Sequence, residues 1–350
     1  VSGESGDERV FRFKAGTRAD AKDTLVTTTL ADYAHHVTVS RPFLGLAVTL
    51  NKTNVGGSAV VTPGETVNVS IAWENNLTTE VTDAVIIARL GGVEIDGASV
   101  QSTDGFYRSS DRVILWDKTT TRGALSRLAA GAKGTLTFSF QVPSNEVLAD
   151  IRNPSLSLSV HAAGKRISES GVPETLQSTA TQNIRLASDL QLIAQGLYYS
   201  NPFGSTGPMP PKANTETTYA LVFSVTNTTN TIKDGVITAT LPPYVRWVGI
   251  YSPSSEDITF NQNESTVTWK VGDINAGVGV AGALPRQAAI AVGFTPSTSQ
   301  IGQQPILIRD ITLKGEDEAT GVAVTRAAED VTTDINGDPG FSPANANVTR

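Results

Sequence analysis

Apolar and polar residues alternate one by one along much of this chain. In "VSIAWEN" (69–75), Val69, Ile71 and Trp73 alternate with small or polar residues and stop at Asn75. In "LVFSVTN" (221–227), Leu221, Phe223 and Val225 do the same and stop at Asn227. A period of two sends one set of side chains to a core face and the other outward, which predicts half-buried β-strands. A polar turn follows each. The next strands open on Asp83-Ala84-Val85 and Asp234-Gly235-Val236 and close on Leu90-Gly91-Gly92 and Leu241-Pro242-Pro243.

The correspondence continues. "RVILWDK" (112–118) matches "STVTWKV" (265–271), setting Trp116 against Trp269, and "GTLTFSFQVPS" (134–144) matches "QAAIAVGFTPS" (287–297). "PSLSLSVHAAGKRISESG" (154–171) matches "PILIRDITLKGEDEATG" (305–321), and each copy ends in a further strand. A repeat of about 150 residues built from short strands and turns predicts an all-β chain of tandem Ig-like β-sandwiches. The expected domains are 43–188 and 189–337, followed by a polar tail or linker at 338–350. Trp73, Trp116, Phe223 and Trp269 are the expected core markers, with Val225 in the site equivalent to Trp73.

Residues 1–42 resemble the last hairpin of each copy, with Gly16 in the place of Gly164 and Gly315. They form a partial copy that has a terminal hairpin and no body. Either the chain is cut inside a longer array, or the hairpin is donated to complete a sheet in a neighbouring subunit. On the second reading Val10, Phe11, Phe13, Val37 and Val39 are the interface candidates. Helix is expected only in "SNEVLADIRN" (144–153), with Ser144 as cap and Leu148 and Ile151 facing inward. The prolines of 200–215 require a loop.

Composition narrows the function. The net charge is −7 and the basic residues are scattered, so neither a nucleic-acid stripe nor a lipid-seeking polybasic segment is present. The chain has no cysteine, which removes disulfides, thiolate metal sites and a cysteine nucleophile. Apolar runs are strand-length, so no membrane insertion is expected within the chain. Val1 is not an initiator methionine and no basic-then-apolar leader follows it, so any signal peptide or anchor is expected outside these residues.

Candidate chemistry is sparse. His35 and His36 are strand neighbours and point to opposite faces, while His161 stands apart, so structural or surface roles fit all three better than a metal or triad role. "GVGVAG" (277–282) has the spacing of a dinucleotide loop, but a proline and a strand follow where a helix is required. It reads instead as a loop and a minor candidate for subunit contact. "DINGDPG" (334–340) opens like a calcium loop through Asp334, Asn336 and Asp338. Pro339 and Asn345 stand where that loop needs glycine and glutamate, so no metal or other cofactor is expected. Phe106, Tyr107, Tyr198, Tyr199 and Phe203 could meet a glycan, with core packing expected for at least half of them. No insertion of the kind that builds a substrate cleft breaks the repeats, and enzyme is the weakest class.

The phrase "YALVFSVTNTTNTIKDGVITATLPPYVRWVG" followed by "STVTWKVGDINAG" resembles the Ig-like repeat of bacterial cell-surface proteins known as domain of unknown function eleven. The shared pattern is a strand ending in an Asn turn, a strand ending in Leu-Pro, then a Trp strand and an Ala-Gly turn. The first copy departs from it at Leu90-Gly91-Gly92 and in a longer turn before Asp83. The layout is also similar to anchored surface proteins of candidate-phyla-radiation bacteria. The resemblance implies an extracellular or cell-surface bacterial chain whose repeats act as spacers, adhesive modules or array subunits, and it implies no catalytic residues. The expected function is a non-enzymatic subunit or stalk of a filament, sheath or surface array, with copies of itself or neighbouring surface proteins as partners. The alternative is an envelope-tethered adhesin with a host or glycan ligand.

Overall fold

A computed structural model describes residues 8–20, 25–38, 42–52, 58–167 and 173–350. The chain is all-β, and it divides into two compact units. An N-terminal ribbon of β1 (Glu8–Thr17) and β2 (Thr28–Thr38) forms a sheet of its own.

The first sandwich contains β3 (Leu44–Leu50), β4 (Ser58–Val61), β5 (Thr66–Asn75), β6 (Val81–Gly92), β7 (Gln101–Ser102), β8 (Phe106–Arg108), β9 (Val113–Trp116), β10 (Arg127–Leu128), β11 (Lys133–Gln141), β12 (Ser155–Ile167) and β13 (Pro173–Leu186). One sheet runs β3-β5-β11-β7; the other runs β4-β13-β12-β6-β9-β8, with β10 also on β6. The second sandwich contains β14 (Leu190–Leu197), β15 (Thr217–Asn227), β16 (Ile232–Thr240), β17 (Val245–Ser252), β18 (Asp257–Asn261), β19 (Thr266–Ile274), β20 (Arg286–Phe294), β21 (Ile306–Asp317), β22 (Val322–Ala327) and β23 (Val331–Thr332). Its sheets run β14-β15-β20-β17 and β18-β19-β16-β21-β22, with β23 on β21. The duplication therefore holds for the order β3-β5-β11-β7 against β14-β15-β20-β17 and for β13-β12-β6-β9-β8 against β22-β21-β16-β19-β18, while β4, β10 and β23 are additions to one copy or the other.

Alternation sets the cores as expected. Val67, Val69, Ile71 and Trp73 are buried along β5, as are Leu221, Phe223 and Val225 along β15. Trp116 and Trp269 are fully buried at matching places, paired with Ile86 of β6 and Ile237 of β16. Asp83 and Asp234 both take positive φ, at 48° and 52°, where β6 and β16 bulge. The repeated glycine is explained by close approach rather than by φ. A Cβ on Gly164 would lie 2.6 Å from Val81, and one on Gly315 would lie 2.6 Å from Ile232, the equivalent residue.

Three boundaries differ from the sequence reading. The C-terminal residues are not a free tail: Ala346 and Val348 are buried, and Val348 exchanges backbone bonds with Gly302 (2.8 Å) and Gln303 (3.0 Å). Thr349 is held in the same way between Pro211 and Ala213 (2.8 and 2.9 Å). Long-range backbone pairing thus overrides a polar local composition. Residues 185–188 also belong to the second unit. So does the segment 144–154, although it is written in the first copy.

That segment is a strap. Its short helix α1 (Asn145–Leu148) buries Leu148, whereas Ile151 faces outward and the Ser144 hydroxyl makes no capping bond. Asn145 Nδ2 donates to Asp189 (3.0 Å), the Asn153 amide donates to Thr229 O (3.2 Å), and the Arg152 guanidinium covers Gly277. Leu148→Ala is expected to cost about 2–5 kcal/mol through the cavity it leaves. Guanidinium unfolding of the variant beside the parent chain measures the loss, and an unchanged midpoint would refute the packing role of this side chain.

Candidate interaction surfaces

In the ribbon the register pairs Phe11 with His35, Phe13 with Tyr33 and Arg9 with Val37. Pleating puts these residues with Ala15 and Ala31 on one face, and Tyr33 and His35 stack at 6.3 Å. The other face carries Glu8, Arg12, Lys14 and Asp32, with His36 Nδ1 2.7 Å from Glu8 Oε1. Val10 pairs with His36 and so lies on this charged face, apart from the other interface candidates. Val37 is half-buried, and Val39 lies outside the described residues. Phe11, Phe13 and Tyr33 remain 44%, 60% and 63% exposed. The four sheets of the two sandwiches each bury an inner face; the ribbon leaves both of its faces open.

The outer face of each β3- or β14-type sheet carries a groove at an equivalent place. In the first sandwich it holds about 700 Å³ and is lined by hydroxyls and amides, including Thr49, Asn68, Ser70, Thr137 and Ser139. In the second it holds about 370 Å³ and has a mixed lining, with Leu197, Val222 and Pro253 alongside Gln195, Ser200 and Gln287. Register makes the comparison direct. The cross-strand row Thr49–Ser70–Thr137 becomes Gln195–Val222–Ala289. Beyond this row, Arg246 grips Glu216 with two bonds (3.0 and 2.9 Å) over Gly293, which holds that carboxyl below its ordinary range.

Asp338 supports one wall of this groove. It is buried, and its carboxylate accepts the amides of Tyr198 (2.6 Å), Tyr199 (2.6 Å) and Ser200 (3.0 Å). The Asp338 oxygens that the calcium-loop spacing would enlist are thus committed to amide donors. Asn336 is exposed and Asp334 half-buried. Among the described residues no group of three His, Asp or Glu side chains is placed to hold a metal.

The remaining candidates separate. Phe106 and Tyr199 are exposed, while Tyr107 and Phe203 are half-buried. Tyr198 packs against the second sandwich's core. The 277–282 loop is a turn that leads into β20 with no helix, and Leu284 beyond it is exposed. His161 meets Thr179 Oγ1 at 3.2 Å. Among the described residues no helix is long and apolar enough to cross a membrane.

No family model and no curated relative matches the chain. Among solved structures, the C-terminal domain of the Streptococcus pyogenes antigen I/II-family protein AspA aligns at 9% identity, over 82% of this chain and 99% of its own, with a TM-score of 0.32. BspA_C_mut aligns at 10% identity over 83% and 97%, with a TM-score of 0.27. AggA, the major subunit of aggregative adherence fimbriae type I of Escherichia coli, aligns at 14% identity over 43% and 99%, with a TM-score of 0.24. Likenesses this remote carry no weight for function, which is read from the chain's own residues.

Proposed function

We propose that the chain is a non-enzymatic structural subunit or stalk of an extracellular bacterial assembly, a filament, sheath or surface array built from Ig-like repeats. The observation that carries this reading is the ribbon's aromatic face, left open in a chain that buries the inner face of each sandwich sheet. Isolated two-stranded ribbons are marginal in water and need a further sheet to pack against. Contiguous apolar surface rimmed by charge marks an interaction site. The resemblance to bacterial surface repeats supports an extracellular setting. An envelope-tethered adhesin is the second reading, favoured by the hydroxyl-lined groove of Asn68, Ser70 and Thr137, whose chemistry suits sugar hydroxyls.

Electron microscopy of 1–350 beside a version starting at Phe43 tests the proposal. Filaments or sheets from the full chain that vanish on truncation are expected. Separate particles from both would remove the assembly reading and leave the adhesin.

A further inference from the structure

Asn75, Asn227 and Asn230 are buried, and their side-chain amides are committed to carbonyls or to the Asp317 carboxylate. Asn336 is their opposite. It is exposed, and its side chain meets no partner among the described residues. It is also the one asparagine in the sequence that glycine follows. The pair sits at the tip of a turn closed by one backbone bond, from the Asp338 amide to Ile335 O at 2.9 Å. The Gly337 amide has no acceptor among the described residues, and Gly337 has no Cβ to screen that nitrogen.

From this placement we propose that Asn336 is a site of spontaneous deamidation. The Gly337 nitrogen gives up its proton to solvent base and forms a bond to Asn336 Cγ. The bond from Cγ to the side-chain nitrogen breaks, ammonia leaves, and a five-membered imide closes. Water then opens the imide at either carbonyl. One opening gives aspartate at 336; the other gives isoaspartate, in which the backbone runs through the former side chain. Water is the only co-reactant. The surroundings give the event a structural consequence. Isoaspartate inserts an extra methylene into the backbone between Ile335 and Asp338, and both of those residues are buried. Asp338 holds the amides of Tyr198, Tyr199 and Ser200 at 2.6, 2.6 and 3.0 Å. A longer turn draws the carboxylate out of line with these amides, so the 198–200 segment loosens as the protein ages.

The test holds the folded full chain at mildly alkaline pH and body temperature for several weeks, then weighs its peptides by mass spectrometry. The peptide carrying Asn336 is expected to gain one dalton and split into aspartate and isoaspartate forms. Peptides carrying the other asparagines should keep their mass. Asn336→Gln, whose longer side chain disfavours ring closure, and Gly337→Ala, whose methyl crowds the nitrogen, should each suppress most of the gain. Both positions are exposed and Gly337 does not need positive φ, so both variants keep the fold. A Cβ at Gly337 would meet only the tip of the Gln195 side chain, at 3.3 Å. Amide exchange at 198–200 should quicken in the aged parent and not in aged Asn336→Gln. If the folded chain keeps the Asn336 amide while a guanidinium-unfolded sample loses it, the turn protects the site and the proposal falls. Deamidation that leaves exchange at 198–200 unchanged would overturn the coupling through Asp338.

Discussion

Trp269→Ala is expected to cost the second sandwich about 5 kcal/mol or more, combining a cavity worth about 3–5 kcal/mol with a lost bond to a charged acceptor worth about 1.5–3 kcal/mol. Trp269 is fully buried and its Nε1 donates to Glu256 Oε2 at 2.8 Å. Glu256 is itself buried, and its carboxylate also meets Arg286 at 2.9 Å. Without the indole, that carboxylate keeps one partner and faces a void. Trp116 fills the same place in the first sandwich, but its Nε1 has no hydrogen-bond acceptor among the described residues. Replacement by phenylalanine separates the two terms. Trp269→Phe loses the charged bond and should be clearly destabilised. Trp116→Phe removes an unpartnered N–H and should cost less by about 1.5–3 kcal/mol. Guanidinium unfolding of both variants, with amide exchange assigning each loss to its sandwich, decides the point. Equal costs at the two positions would refute the role given to Glu256.

Much of this architecture is written in local letters. Period-two alternation and the recurrence of Asn, Asp and Trp place the strands of both sandwiches, because inner-face burial in an antiparallel sheet leaves its mark one residue at a time. The ribbon's two faces were legible in the same way: Arg9, Phe11 and Phe13 alternate with Val10, Arg12 and Lys14, so Val10 belongs with the charges. The burial of β15 and β20 on both faces also left a signal. Along "TYALVF" (218–223) and "AAIAVGF" (288–294) alternation gives way to continuous apolar runs, the mark of a strand covered on both faces. The matching first-copy strands keep their Ser and Thr.

What was not legible depends on distant partners. The strap shows as a short helical stretch, but no local pattern says that residues 144–154 group with the unit formed by the later copy. The C-terminal residues look like linker because Phe341 and Val348 are isolated among polar residues, yet Val348 is buried through pairing with Gly302 and Gln303. Asp338 looked like a cation ligand because spacing carries no information about the amides of 198–200, some 140 residues earlier in the chain.

The strand-ending asparagine was visible as a letter, and its physical role makes the other large prediction. Asn227 is fully buried, and its Nδ2 donates to the carbonyls of Asn230 (2.7 Å), Ile274 (2.9 Å) and Asn275 (3.2 Å). Its Oδ1 accepts the Ser188 hydroxyl at 2.7 Å. Asn75 repeats the arrangement, with Nδ2 3.0 Å from the carbonyls of Thr79, Leu128 and Ala129, and Oδ1 accepting the Leu77 amide. One side chain thus ties the turn after the strand to a loop about 50 residues away. Asn227→Ala orphans several buried groups at about 1–3 kcal/mol each, for a total near 3–5 kcal/mol. Asn227→Asp preserves shape and volume but turns an oxygen toward carbonyls that can only accept. The isosteric change is therefore expected to be worse than the truncation, and the same order should hold for Asn75→Asp against Asn75→Ala. Denaturant midpoints of the four variants supply the test. An aspartate variant as stable as the parent would mean that the amide's donors do not hold these turns. The recurrence of asparagine would then need another cause.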